Sequence, residues 1–210
     1  MSLKQLSLAV LVAAGVLTAP AFSQKYEVSV LLGRTFISDQ GINGATPPSN
    51  LVHFGNGTTF EVNPARHLLG GDFESLGSIT VEMPIVFNLD EDMNSGTNNI
   101  PAHFRSIFAT PALRANAFPR LPLSPWGSFG GGFGHFSESS TLVYGGPNPG
   151  ETGTTTGILE LGAGLDVRVK GLTIRGALRD FWSGAPQLNV DTGKGRQHNF
   201  FVGAGIVLHF

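Results

Sequence analysis

The sequence predicts an all-β protein, an eight-stranded antiparallel up-and-down transmembrane β-barrel. Three observations predict it. Eight segments alternate apolar and polar residues with a period of two, and almost no stretch carries helical periodicity. The connections between those segments alternate long and short. Charged residues make up only 13% of the chain, and glycine, at 29 of 210, stands at about twice its usual share. That composition suits strands with one face in an apolar medium. It does not suit a soluble helical domain, and a net charge of −2 gives no electrostatic reason to expect nucleic acid.

The first element is a secretory signal, expected over residues 1–23. Lys4 supplies a short positive region, residues 6–17 are apolar and uncharged, and Ala19-Pro20-Ala21 and Ala21-Phe22-Ser23 offer small residues at cleavage spacing, placing the cut near Gln24. The apolar run is shorter than the roughly 20 residues a spanning helix needs. The barrel domain is then residues 24–210. It contains no cysteine, so packing and backbone pairing alone must hold it.

The eight predicted strands cover residues 25–36, 58–69, 78–90, 103–118, 125–137, 155–170, 172–182 and 198–210. Each reaches or exceeds the 9 to 11 residues of a tilted membrane strand. In the third, Ile79, Val81, Met83, Ile85 and Phe87 alternate with Ser78, Thr80, Glu82, Pro84, Val86 and Asn88. In the sixth, Leu159, Leu161, Ala163, Leu165, Val167 and Val169 alternate with Glu160, Gly162, Gly164, Asp166 and Arg168. In the last, Phe200, Val202, Ala204, Ile206, Leu208 and Phe210 share one face, and Asn199, Phe201, Gly203, Gly205, Val207 and His209 the other. A soluble lipocalin-like barrel carries the same alternation with its faces reversed, so the loops must separate the two. Connections 37–57, 91–102, 138–154 and 183–197 are long; 70–77, 119–124 and 170–171 are short. Outer-membrane barrels pair long extracellular loops with short periplasmic turns, which places both chain ends in the periplasm. Phe181 and Trp182 are expected at the outer rim, and Tyr26 and Phe210 at the inner one. Pro64, Pro84 and Pro111 fall inside predicted strands, where proline removes a ladder donor, so bulges or strand ends are expected there.

At this point the chain resembles the small eight-stranded outer-membrane proteins, the superfamily of the OmpA membrane domain and OmpX. The strand Phe200-Phe201-Val202-Gly203-Ala204-Gly205-Ile206-Val207-Leu208-His209-Phe210 carries the resemblance most sharply, and Tyr26-Glu27-Val28-Ser29 and Gly130-Gly131-Gly132-Phe133 are similar in style. The resemblance implies the cell outer membrane as location, outer-membrane lipid as surroundings, a monomeric barrel, and an assembly signal in Phe210, Leu208 and Ile206 read by the outer-membrane assembly machinery.

Extending the strand parity inward gathers Glu27, Glu61, Glu82, Glu160 and Asp166 against Arg114, Arg168, Arg175 and Arg179. Unpaired buried charge is costly, and eight strands leave room only for side chains, so a lumen filled by ion pairs is expected rather than an open pore. The short turn Lys170-Gly171 sets Asp166 opposite Arg175. The expected role is therefore structural, or surface interaction through the long loops, without enzymatic activity. Two alternatives stand beside it. One is the soluble periplasmic carrier of lipid or small ligands. The other rests on His135 and Ser137, two residues apart near a strand end with Glu151 in the following loop, an arrangement that resembles the lipid A deacylase PagL and implies hydroxyl activation by a carboxylate-oriented His. Glu138 follows Ser137 where that family carries Asn. No cofactor is expected. The six His lack zinc-like spacing, Asp90-Glu91-Asp92 reads as a solvated acidic loop, residues 130–134 lack G-x-G-x-x-G spacing, and Gly193-Lys194-Gly195-Arg196 is a basic loop tip.

Overall fold

The computed structural model describes residues 26–69 and 76–210. The predicted signal segment, Lys25 and most of the first short turn lie outside the described residues. The first strand is β1 (Tyr26–Ile37), and the long connection after it carries two short strands, β2 (Gln40–Gly41) and β3 (Leu51–Phe54). β4 (Asn56–Leu69) returns. The third crossing is β5 (Gly77–Glu82) continued by β6 (Ile85–Ser95), and the fourth is β7 (His103–Ala109) continued by β8 (Ala112–Ala117). β9 (Leu123–Glu138), β10 (Gly153–Val169), β11 (Leu172–Gly184) and β12 (Arg196–His209) complete the set. All neighbours are antiparallel, and β1 pairs with both β4 and β12, which closes eight crossings into a barrel. Closure leaves no open edge, the condition for strands in a medium that offers no hydrogen bonds.

The strand ends lie within a few residues of those expected, with one larger difference. The third crossing runs to Ser95, because its extension pairs with β3 through Val52↔Ser95 and with β7 through Glu91↔Phe104. The acidic run 90–92 reads as loop in the sequence, yet Glu91 faces the interior and only Asp90 and Asp92 face out.

The three prolines form a seam across neighbouring strands. Met83 donates to the carbonyl of Pro64, Thr110 to that of Pro84, and Gly131 to that of Pro111. Each proline accepts its ladder bond and fails to return one. The register is the same on both sides of the seam, Ala65↔Glu82 continuing Val62↔Ile85, so no bulge forms there; the strand ends expected as the other outcome do occur at Pro84, between Glu82 and Ile85, and at Pro111, between Ala109 and Ala112. β4 passes through Pro64 unbroken. The irregularities in this sheet lie instead at 67/69 and at 88/91.

The β10–β11 hairpin turns on Lys170 (φ 49°) and Gly171 (φ 88°). Two successive positive φ values are the signature of the type I′ turn, whose twist matches that of the flanking strands.

Outward positions carry an apolar belt that includes Val30, Leu32, Leu113, Phe129, Phe133, Leu161, Leu178 and Val202. At the end with short turns, Tyr26 stacks on Phe210 at 6.5 Å, and Arg66 lies over the Tyr26 ring. At the end with long loops, Trp182 stacks on His198, and Arg196 covers the Trp182 ring at 4.7 Å. Phe181, expected at the rim beside Trp182, points inward and is fully buried. Neighbouring residues on a strand face opposite ways, so only one of the pair can join the outer girdle.

The interior has two layers, and this corrects the expectation of a lumen that is polar throughout. Toward the long loops, Leu31, Phe104, Phe108, Phe136, Phe181 and Phe201 pack together, with Val52, Ile100 and Leu188 brought over them by the loops. Toward the short turns the interior is charged. Trp126 projects into that charged layer, and the space it fills exists because β10 has Gly164 beside it: a Cβ there would lie 2.4 Å from the indole and 2.2 Å from the carbonyl of Gly176. Gly164→Ala is expected to lower stability by about 1–3 kcal/mol through overpacking. Gly176→Ala, whose Cβ meets open space, should change it little. Urea unfolding in lipid vesicles measures both.

Candidate functional site

The charged layer is built from inward positions of six crossings. Strand parity fixes the direction of each side chain, and closure fixes the neighbours. Arg179 on β11 is the hub. Its Nε and one terminal nitrogen hold both oxygens of Glu61 at 2.9 and 3.1 Å, a bidentate pair. Its other terminal nitrogen donates to Glu160 at 2.7 Å, Glu82 at 3.0 Å and the Ser128 hydroxyl at 3.1 Å. One guanidinium thus serves three carboxylates from three other strands, β4, β5 and β10.

A second group lies nearer the short turns. Arg175 holds Asp166 bidentately at 2.7 and 2.8 Å and reaches Glu27 at 3.1 Å. Arg114 donates to the same Glu27 oxygen and lies 3.1 Å from Glu82, which joins the two groups. Asn63 donates to Glu82, and Asn116 to Asp166. The Trp126 ring sits among all three guanidiniums, with centroid distances of 5.1 Å to Arg179, 5.5 Å to Arg175 and 6.0 Å to Arg114. A cation over an indole face gains most where water is excluded, and here all three arginines are buried. The alternation along β9 that buries Ser124, Ser128 and Gly130 also turns Trp126 inward, although an indole at that position announces no charge.

Of the nine residues expected in the network, eight meet: Glu27, Glu61, Glu82, Arg114, Glu160, Asp166, Arg175 and Arg179. Arg168 does not. It shares the inward parity but lies exposed at the turn end, past the enclosed part of the barrel. Phe210, Leu208 and Ile206 share the outward face at the barrel seam, and Phe210 and Tyr26 exchange both backbone hydrogen bonds. His135 and Ser137 both face outward, but His135 Nδ1 is hydrogen-bonded at 2.8 Å to the Thr155 hydroxyl, its cross-strand partner. Glu151 is exposed, and among the described residues no ion pair joins it to His135, so the chain His–Ser–carboxylate is not assembled.

Glu91 is the residue the sequence reading missed. It sits above the apolar belt on the extension of β6, between exposed Asp90 and Asp92, and is itself fully buried. It accepts from the Gly57 amide at 3.0 Å and the Asn88 side chain at 2.9 Å. Burial pushes its carboxyl up to about 7, against those two hydrogen bonds.

Two predictions follow from these environments. Arg179→Ala leaves three carboxylates clustered without their cation and should cost about 3–5 kcal/mol or more, whereas Lys194→Ala on an exposed loop should stay within about 0.5 kcal/mol. Urea titration in vesicles compares them. For Glu91 the folded acid is the stronger proton binder, so its stabilising contribution is whole below the unfolded carboxyl range and is lost as pH rises toward 7. Glu91→Gln should therefore match the parent near pH 4.5 and exceed it at pH 8, by up to roughly 3 kcal/mol. Unfolding midpoints at the two pH values check this.

The chain matches no protein-family model and no curated protein. Among solved structures it is similar to the outer membrane protein AlkL, solved in lipid bilayers, at 14% identity and a TM-score of 0.51, with 92% of this chain and 93% of that one covered. Neisserial surface protein A aligns at 13% identity and 0.49 over 88% of this chain and 97% of that one, and the outer membrane enzyme PagL at 15% and 0.45 over 86% and 98%. At these identities the likeness concerns fold and carries no activity across. Together with the closed sheet and apolar belt, the likeness to AlkL establishes that this chain has the fold of the small eight-stranded outer-membrane β-barrels.

Proposed function

We propose that this protein is a closed, non-conducting barrel of the cell outer membrane that acts as a structural and surface-interaction element, with its long loops outside the cell. The observation that carries the reading is the doubly sealed lumen. An aromatic layer lies over a layer in which Arg114, Arg175 and Arg179 are enclosed by five carboxylates. A water-filled path requires charges that water can reach, and these three guanidiniums are at most 1% exposed. The loops add a third barrier. Gln40 of β2 hydrogen-bonds Gln197 at 2.9 Å at the rim, where the chain leaves the paired ends of β1 and β12, Gln197 continues to Asn199, and Tyr144 of the third long loop is tied to the Ser95 carbonyl.

The loop end also has the character of a face that meets other molecules. The loops are tied to one another by Asn43 to Asp191, by Asn98 to Gly145 and Tyr144, and by Asn148 to Asn189. A rigid polar surface pays less ordering entropy on association than flexible loops would. Parity of loop length supports the orientation, with the turn end in the periplasm. In this reading the belt contacts lipid, and the outward row Ile206, Leu208 and Phe210 is what the assembly machinery meets.

Reconstituted in planar bilayers, the protein should show no steady single-channel steps, and single Cys at Asn43, Asn98, Asn148 and Lys194 should react with an impermeant thiol reagent on intact cells. Reproducible open-channel current from the parent protein would overturn the sealed-lumen reading. Four unreactive positions on intact cells, reactive after permeabilisation, would invert the orientation.

A further inference from the structure

We propose that Glu27, His67 and His209 form a binding site for a divalent transition-metal ion of the zinc class, at the turn end of the lumen. His67 and His209 are inward residues near the ends of β4 and β12, and both strands flank β1, which carries Glu27. Their ligand atoms lie within 4.8 Å of one another. His67 Nε2 stands 3.4 Å from Glu27 Oε2, and His209 Nδ1 stands 3.9 Å from the same oxygen. Ligands of a tetrahedral zinc ion, with bonds near 2.1 Å, are separated by about 3.4 Å, so the two carboxylate–imidazole edges already stand within about 0.5 Å of that spacing, and the imidazole–imidazole edge, within 4.8 Å, closes by a rotation of the two rings.

Three further features set this cluster apart from two histidines that happen to meet a carboxylate. Each ring is anchored on its far nitrogen: His67 Nδ1 is hydrogen-bonded to the Thr80 hydroxyl at 3.0 Å, and His209 Nε2 to the Thr173 hydroxyl at 3.3 Å. If those far nitrogens carry the protons, the lone pairs of both near nitrogens aim at the Glu27 oxygen, the tautomer choice that orients metal-binding histidines. The carboxylate is divided in the same way. Oε1 takes Arg114 and Arg175, while Oε2 faces the two imidazoles. Finally, the charged layer is short of positive charge. Five carboxylates face three guanidiniums, and a dication at this corner would supply the two missing charges.

The site also has an entry path. Glu27 is buried, but the His67 and His209 side chains keep 26% and 20% of their surface exposed toward the turn end. Water completes a fourth position there. Arg114 and Arg175 oppose a cation through their own charge, as does Arg168 at the rim near His209. The two buried ones are already bound to Glu82 and Asp166, so their fields are largely spent on those carboxylates. Spacing along the chain shows none of this, because the three ligands lie 40 or more residues apart and come from three strands.

The test is calorimetric titration of the refolded, metal-stripped barrel with zinc chloride, alongside His67→Ala, His209→Ala, His53→Ala and His198→Ala, each first shown to be folded by heat-modifiable migration. The expected result is one zinc per barrel, with affinity at least tenfold weaker in His67→Ala and in His209→Ala. It should be unchanged in His53→Ala and His198→Ala, whose rings pair with Asp39 and Asp180 on the exposed face. If either of the first two variants fails to fold, Thr80→Val and Thr173→Val take its place, with a loss of about tenfold expected from a ring left unanchored. No saturable binding by the parent, or binding that persists in the His67 and His209 variants and fails in the His53 or His198 variants, would overturn the proposal.

Discussion

The contact between Arg179 and the carboxylates of Glu61, Glu82 and Glu160 is the interaction on which the charged half of the interior depends. Removing any one of these groups from water is expensive, and the expense is met only because the partners are held at hydrogen-bonding distance by strands that cannot drift. Four different strands contribute. A sheet that slipped its register by one residue would turn this entire set to the apolar outer face, so the same charges that fill the barrel also specify its register. That is a role of specificity beside one of stability, and the two bidentate pairs, Arg179 on Glu61 and Arg175 on Asp166, supply most of the geometric selectivity.

The aromatic layer solves a different problem. Toward the long loops the interior is filled by Phe104, Phe108, Phe136, Phe181 and Phe201, whose rings meet edge-on or tilted at 5.2 to 5.7 Å where they pair. These rings need no partner for hydrogen bonds and exclude water from the charged layer beneath. Glycines on the same inward rows leave room for them and for the long arginine side chains. The division of labour explains the composition: few charges, the enclosed arginines committed to one layer, and many Phe shared between the belt outside and the plug inside.

The proline seam shows how much irregularity such a barrel absorbs. Three missing amide donors in adjacent strands cost three ladder bonds, yet the pairings on either side stay in register because closure fixes the neighbours over long stretches. Closure also decides which residues become a candidate site. Arg175 and Asp166 meet through a local hairpin, but Arg179 and Glu61, 118 positions apart, meet only because β12 and β1 carry the sheet round between them.

The sequence by itself determined the eight crossings, the face most strand residues take, the tight turn at Lys170-Gly171, and eight of the inward charges. A period of two and a run of loop lengths are local signals, and local signals survive in one dimension. It could not show that Arg168 falls past the enclosed region, because parity carries direction but no depth along the barrel axis. Nor could it show that Glu91 leaves its acidic neighbours and turns inward, since that follows from an irregularity in pairing at 88/91. His135 and Ser137 looked like a pair from their spacing, yet cross-strand pairing gave His135 to Thr155. The meeting of Glu27 with His67 and His209, and the place of Trp126 among three arginines, were decided by tertiary structure alone. Distances across a lumen depend on strand order, tilt and closure together, and no segment of the chain holds that information.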